Sequence, residues 1–265
     1  MTPLFLVLVL AADPNLAAVE LQVDGVTREA LIAIPEGASS AKPAPVVFAF
    51  HGHGGTMRNA ARTFAFEKAW PDAVVVYMQG LKTATLRDPA GERPGWQNLP
   101  GQQGDRDVKA FDAFLAHVKS KTSIDDNRIY ATGHSNGGGF TYALWGARPD
   151  LFAAIAPSSA NPPLSNSLKP LPVFQVTGKT DAIVSYAGQT RTVDAVRRIN
   201  RCEETGKSWA TDCTEYPSPS GKPVIWMVHD GGHKYSADAP ALIVRFFKEQ
   251  TRKPAAANAG TTSTP

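Results

Sequence analysis

The sequence predicts a single α/β domain with a mostly parallel, twisted sheet and helices on both faces. Three observations carry this reading. Apolar runs at 46–50, 73–78, 152–156, 173–177 and 224–228 have the composition of strands buried on both faces. Between them lie stretches with helical spacing, at 58–69, 105–121, 138–148, 192–201 and 239–250. The length of 265 residues suits one large domain of this class, and neither an internal repeat nor a second core is visible.

The chain begins M-T-P-L-F-L-V-L-V-L-A-A, an apolar run followed by small residues. A bilayer span needs about 20 residues, so this run is too short to cross. It has the form of a secretory signal, with cleavage expected near Ala12 or Ala18. Residues 1–18 are therefore assigned to a signal peptide, 19–250 to the folded domain and 251–265 to a disordered tail of Pro, Ala, Gly, Thr and Ser. This organisation implies a secreted or periplasmic protein. The net charge of +3, without a dense Lys/Arg block, gives no footprint for nucleic acid. A monomer without stable membrane insertion is the expectation.

The segment 21–35 alternates and turns at Asp24-Gly25, which predicts a hairpin of strands 21–23 and 28–34. A Pro/Ala/Ser loop leads to strand 46–50, which ends in His51-Gly52-His53-Gly54-Gly55. After helix 58–69 and strand 73–78, residues 79–104 are polar, rich in Gly and Pro, and without periodicity. A loop of this length inside a domain is functional or disordered. Trp96 stands in it as a candidate wall of the substrate pocket, with packing under the loop as the alternative. Helix 105–121 follows, with Val108, Phe111, Phe114, Leu115 and Val118 on one face. Asp105 and Asp107 read as favourable charges at its N-terminus. Cys202 and Cys213 flank a polar segment in which Gly206 can help the chain turn back. In an exported protein they are expected to form a disulfide worth about 2–3 kcal/mol.

The chemistry centres on Gly133-His134-Ser135-Asn136-Gly137, a G-x-S-x-G between the β-favouring run 128–132 and helix 138–148. A serine on such a sharp strand-to-helix turn has an exposed Oγ, and the following helix N-terminus favours developing negative charge. A serine nucleophile needs a base, an acid to orient the base, and donors for the oxyanion. Asp181 follows strand 173–177 in G-K-T-D, and His233 follows strand 224–228 in D-G-G-H. Both lie at strand C-terminal ends, where open α/β sheets place their sites. Ser135, Asp181 and His233 are thus the candidate nucleophile, acid and base. The N–H groups of His53 and Asn136 are the candidate oxyanion donors. His51 is read as a brace of the turn, Asp230 as a turn residue, Asp194 as surface, and His229 as a minor contender for the base.

Taken together, H-G-H-G-G, W-Q-N, R-I-Y-A-T-G-H-S-N-G-G, G-K-T-D and G-G-H resemble the polyhydroxybutyrate depolymerase and feruloyl esterase family, α/β-hydrolases related to carbohydrate esterase family 1. The resemblance spans roughly 21–250. It implies the α/β-hydrolase fold, an acyl-enzyme mechanism, and nucleophile, acid and base at Ser135, Asp181 and His233. It also implies oxyanion donors at His53 and Asn136, and no cofactor or metal. Two departures stand out. Many members carry Cys, Ser or Thr where His53 stands, and many follow G-G-H with Trp-Pro where this chain has Lys234-Tyr235. The expected function is a secreted serine esterase acting on feruloyl or acetyl esters of polysaccharide, or on hydroxyalkanoate oligomers. A serine peptidase or acyltransferase on the same fold is the alternative. A metal-dependent hydrolase using the His51-x-His53 pair, or a non-catalytic binding protein, is more distant.

Overall fold

Ten strands in one sheet organise the chain in the computed structural model, which describes residues 16–165 and 167–252. The expected signal peptide, up to residue 15, and the expected tail from 253 lie outside the described residues. Strands β1 (Ala17–Val23) and β2 (Val26–Ala33) form the expected hairpin, turned by Asp24 and Gly25 at φ 50° and 77°. The others are β3 (Ala44–Phe50), β4 (Val74–Met78), β7 (Ile124–His134), β8 (Ala154–Ser158), β9 (Val173–Gly178), β10 (Lys207–Ala210), β11 (Cys213–Tyr216) and β12 (Val224–His229). Their order is β1-β2-β4-β3-β7-β8-β9-β12-β11-β10. The six central strands β4 to β12 run parallel, and each edge is an antiparallel pair. Because β1 includes Ala17 and Ala18, cleavage near Ala12 leaves this strand whole, whereas cleavage at Ala18 shortens it.

Strand alternation splits the core into two layers. Phe48, Phe50, Val76 and Ile129 face helices α3 (Arg106–Lys121), α4 (Asn136–Ala147) and α5 (Tyr186–Ile199). Val47, Val75, Tyr77 and Tyr130 face α1 (Met57–Phe64), α2 (Phe66–Ala69) and α6 (Ala239–Glu249). Each such aromatic or branched side chain, fully buried, contributes about 1.5–3 kcal/mol. The helix expected at 58–69 is broken at Ala65, which takes φ 46°. Tyr77 accounts for the break: its hydroxyl accepts from the Phe66 N–H at 2.7 Å and donates to Glu67 at 2.6 Å. That hydroxyl satisfies a donor the break exposes, as a cap would.

The long loop 79–104 is ordered. Its short ribbon pairs β5 (Leu81–Lys82) with β6 (Pro94–Gly95). The fully buried Asp107 holds the loop to the domain. It pairs with Arg28 of β2 at 2.8 Å and accepts the Gln97 N–H at 2.8 Å, while its own N–H donates to the Gln97 side chain at 3.1 Å. Asp105 accepts from Gln97 and Gly101, at 2.8 and 2.7 Å. Asp107 is therefore more than the helix-end charge its position suggested.

The expected Cys202–Cys213 disulfide is not formed, and both thiols are free. Cys213 begins β11 opposite Met227 and is buried on the face of α6. Cys202 packs on the opposite face, beside the layer of α5. Of two strands absent from the sequence reading, β10 lies between the cysteines and β11 opens with Cys213, and the two thiols end on different sides of the sheet.

Two outcomes are expected. Arg28→Ala strands the buried Asp107 carboxylate and should cost about 3–5 kcal/mol, read from the urea midpoint. Thiol titration of the unfolded, unreduced protein should count both cysteines, and a reductant should leave the thermal midpoint unchanged.

Candidate active site

Ser135 sits between β7 and α4 at φ 56° and ψ −120°, a backbone state costly for a residue with a side chain. Its surroundings enforce that state. The Ser135 N–H donates to Ser158 O of β8 at 2.9 Å, and its carbonyl accepts from the Gly139 N–H at 2.9 Å. A Cβ on Gly133 would collide with the Gly137 carbonyl, and one on Gly137 with the Phe50 carbonyl of β3. Only glycine permits the elbow to close on the sheet at these two positions.

Asp181 follows β9, and His233 lies in the loop after β12. The two loops are joined by backbone hydrogen bonds from Lys179 to His229 O at 2.9 Å and from Thr180 to Gly231 O at 3.1 Å. An exposed ion pair between Lys179 and Asp230 at 2.7 Å adds a clasp. The outcome is a continuous chain of side chains. Ser135 Oγ is 2.8 Å from His233 Nε2, and His233 Nδ1 is 2.8 Å from Asp181 Oδ2. Asp181 Oδ1 also accepts the Ile183 and Val184 N–H groups at 2.9 and 2.8 Å. Gln189 reaches its Oδ2 at 3.2 Å. Burial alone would raise the Asp181 pKa. The hydrogen bonds from His233 and from the Val184 and Ile183 N–H groups outweigh it and leave the carboxyl below its usual range. An ionised Asp181 only accepts, so it draws the proton to His233 Nδ1 and leaves the Nε2 lone pair facing Ser135.

The turn after β3 lies against the elbow: a Cβ on Gly52 would sit 3.4 Å from Ser135 Cβ. His51 braces this turn. Its Nε2 accepts from the Gly80 N–H at 3.0 Å, so the proton is on Nδ1 and donates to Gly52 O at 2.7 Å. The neighbouring His53 pairs through Nε2 with Asp88 at 3.0 Å. With these partners the two rings of the His51-x-His53 pair serve separate contacts. Among the described residues no three His, Cys, Asp or Glu side chains converge on one metal position.

Trp96 lines no pocket. It is 0% exposed, stacks on Phe140 at 5.1 Å and donates its indole N–H to His51 O at 2.8 Å. It is core beneath the turn, because the loop that carries it folds inward over α4. Asn136 makes this possible. Its side-chain amide accepts the Trp96 N–H at 2.7 Å and donates to Trp96 O at 3.1 Å, pairing the loop as a strand would. Sequence reasoning valued only the backbone of Asn136, and it missed Asp88 altogether; no motif marks Asp88. The open cleft beside Ser135, of about 360 Å3, is lined instead by Asn59, Thr63 and Phe64 of α1, by the turn, and by His134, Lys234 and Tyr235. The contenders fall elsewhere: His229 Nδ1 accepts the Gly231 N–H at 3.1 Å, and Asp194 pairs with Arg197 at 3.3 Å on α5.

Comparisons with known proteins agree with this architecture. The profile of the prolyl oligopeptidase family matches residues 94–161. The chain is 28% identical over 214 residues to a protein described as probable feruloyl esterase C of Aspergillus oryzae, covering 78% of this chain and 76% of that one. It is 26% identical over 268 residues to feruloyl esterase D of Neurospora crassa, covering 89% and 90%. Among solved structures, acetyl xylan esterase from Aspergillus awamori superposes with a TM-score of 0.65 at 14% identity, covering 88% of this chain and 99% of that one. A ferulic acid esterase from Anaeromyces mucronatus, solved with ferulic acid, superposes with a TM-score of 0.59 at 14% identity, covering 89% and 90%.

Burial holds both His51 and His134 neutral, lowering each pKa from 6.5 to about 4. Unfolding restores their ordinary value, so between about 6.5 and about 4 the unfolded chain binds protons the native one refuses. Stability should therefore be fully present above about pH 6.5 and decline as the pH falls toward about 4. Urea midpoints measured across that range check this, and His134→Gln should flatten the decline.

Proposed function

We propose that this chain, a feruloyl esterase-like carboxylic ester hydrolase of the α/β-hydrolase fold, works as an exported serine esterase through Ser135, His233 and Asp181. The observation that carries the reading is the unbroken relay of two 2.8 Å contacts from Ser135 Oγ through His233 to Asp181. His233 Nε2 takes the Ser135 proton as Oγ attacks the ester carbonyl. Asp181 holds the imidazole tautomer and stabilises the imidazolium that results. Negative charge then gathers on the former carbonyl oxygen. The N–H groups of His53 and Asn136, on the braced turn and at the start of α4, are the donors assigned to it. Collapse of this intermediate expels the alcohol, which leaves with the proton from His233. Water, activated by the same imidazole, releases the acid from the acyl-enzyme and restores Ser135. No metal or organic cofactor is required by this sequence of steps.

The names of the relatives favour feruloyl or acetyl esters of polysaccharide as substrates, with hydroxyalkanoate oligomers as the other member of the class. The prolyl oligopeptidase match keeps peptide bonds as a second reading, because fold and relay do not set the leaving group. The apolar N-terminal run supports action outside the cytoplasm.

Ser135→Ala should lower kcat/KM on aryl acetates and methyl ferulate by about ten-thousand-fold or more, with an unchanged circular dichroism spectrum. His233→Ala should be nearly as damaging, since nucleophile and base act as a unit. Near-full activity in Asp181→Ala would strike Asp181 from the relay. Cleavage of peptides faster than of esters would favour the second reading.

A further inference from the structure

His134 is the last residue of β7 and directly precedes Ser135, yet it makes none of the relay's hydrogen bonds. Its register partner on β8 is Ser158, and the side chains meet, with His134 Nδ1 3.1 Å from Ser158 Oγ. Ser158 is fully buried, and its carbonyl also accepts the Ser135 N–H at 2.9 Å. One residue of β8 therefore fastens both the His134 ring and the backbone of Ser135. The turn after β3 closes another side of the ring, since a Cβ on Gly52 would sit 3.7 Å from His134 Cδ2. What the ring touches beyond these strand ends is the part of the relay with the least regular support. His233 lies on a loop after β12, in neither a strand nor a helix. Its ring is 4.9 Å from the His134 ring at 43°, and the Tyr235 ring meets His134 edge-on at 5.9 Å. Tilted and edge-to-face ring pairs attract at these separations. His134 thus contacts the loop at His233 itself and again two residues further on.

The relay needs both nitrogens of His233 in place at once, Nε2 on Ser135 and Nδ1 on Asp181, each at 2.8 Å. An imidazole turns about two side-chain torsions, and a turn about either carries one nitrogen out of reach. A ring anchored to β7 and β8 and set against the imidazole blocks that turn. The blocking group must also be uncharged, because His233 becomes an imidazolium during the reaction. Burial first, and then the His233 and His229 rings, push the His134 pKa down to about 4, against the opposing effects of the His233 backbone and Asp181. We propose that His134 is a positioning residue for the base: its fixed ring holds the His233 imidazole at the torsions that join Ser135 to Asp181. The inference rests on the serine esterase reading and adds to it a residue outside the relay.

The test measures kcat and KM of the full chain on an aryl acetate in two variants. His134→Phe keeps a ring and loses the polar contact with Ser158, whereas His134→Gln keeps polar atoms and loses the ring. In His134→Phe kcat should stay within about threefold, and in His134→Gln it should fall by about tenfold to a hundredfold, as small misplacements of a reacting group do. KM should change by less than about twofold in both, since ground-state binding is not what the ring supplies. Equal kcat in the two variants, or a larger loss in His134→Phe, overturns the proposal. So does a rise in KM at unchanged kcat, which would make His134 a wall of the cleft it borders. Ser158→Ala, a smaller change, covers the case in which substitution at 134 prevents folding. By releasing the ring it should lower kcat by about twofold to fivefold and broaden the downfield Nδ1–H proton resonance of His233. A kcat and a resonance equal to those of the unmodified protein overturn the proposal. If Ser135 still reacts with a fluorophosphonate in that case, the serine mechanism stands. Hydrolysis that survives Ser135→Ala removes the mechanism and the proposal together.

Discussion

The site depends on the close approach of α4 to the ends of β3 and β7. Ser135 occupies a backbone state that costs on the order of 1–3 kcal/mol. The sheet holds it there because Gly137 lets the helix come against the Phe50 and His51 carbonyls, and Gly133 lets the strand meet the helix. The apolar central strands supply the burial that offsets this cost. A side chain at either glycine would push the helix off the sheet and move Ser135 away from His233.

Around that contact, the long loop 79–104 becomes part of the scaffold through polar groups rather than apolar ones. Asp107 is held by Arg28 and by Gln97 in a buried cluster, and Asn136 pairs with the backbone of Trp96. Trp96 then packs against both Phe50 and Phe140 and donates its indole N–H to the His51 carbonyl. Asn136 thus opens α4, and its side chain pins the loop that packs under the turn after β3. A buried polar group without a partner costs on the order of 1–3 kcal/mol, so this network favours one arrangement of the loop over others.

The electrostatics divide the histidines by task. His51 and His134 are driven neutral by burial and carry structure. His233 is only 15% exposed, yet it faces an ionised Asp181 on one side and a hydroxyl on the other. His53, tied to Asp88, fastens the turn to the loop from the outside.

Local signals in the sequence were enough for the parallel core, the β1–β2 hairpin, the strand–turn–helix around Ser135, and the choice of Asp181 and His233 as the side chains that join it. Buried strands are continuous apolar runs, a left-handed turn wants Asp-Gly, and a strained serine needs small neighbours; each of these is written in adjacent residues. What lay beyond reach depends on residues distant in sequence. The edge strands β10 and β11 are half-exposed and polar, and they form only because β12 offers a partner. They set Cys202 and Cys213 on opposite faces, where neighbourhood in sequence suggested a bond. Trp96 read as a pocket wall because its loop has no periodicity, and its burial follows from hydrogen bonds to Asn136 some 40 residues away. By itself, then, the sequence determined the sheet and pointed to Ser135, Asp181 and His233 as one cluster, since strand burial and turn chemistry are local. Only the tertiary structure decided how the long loop folds and which side chains face the cleft, because those choices rest on pairing across the chain.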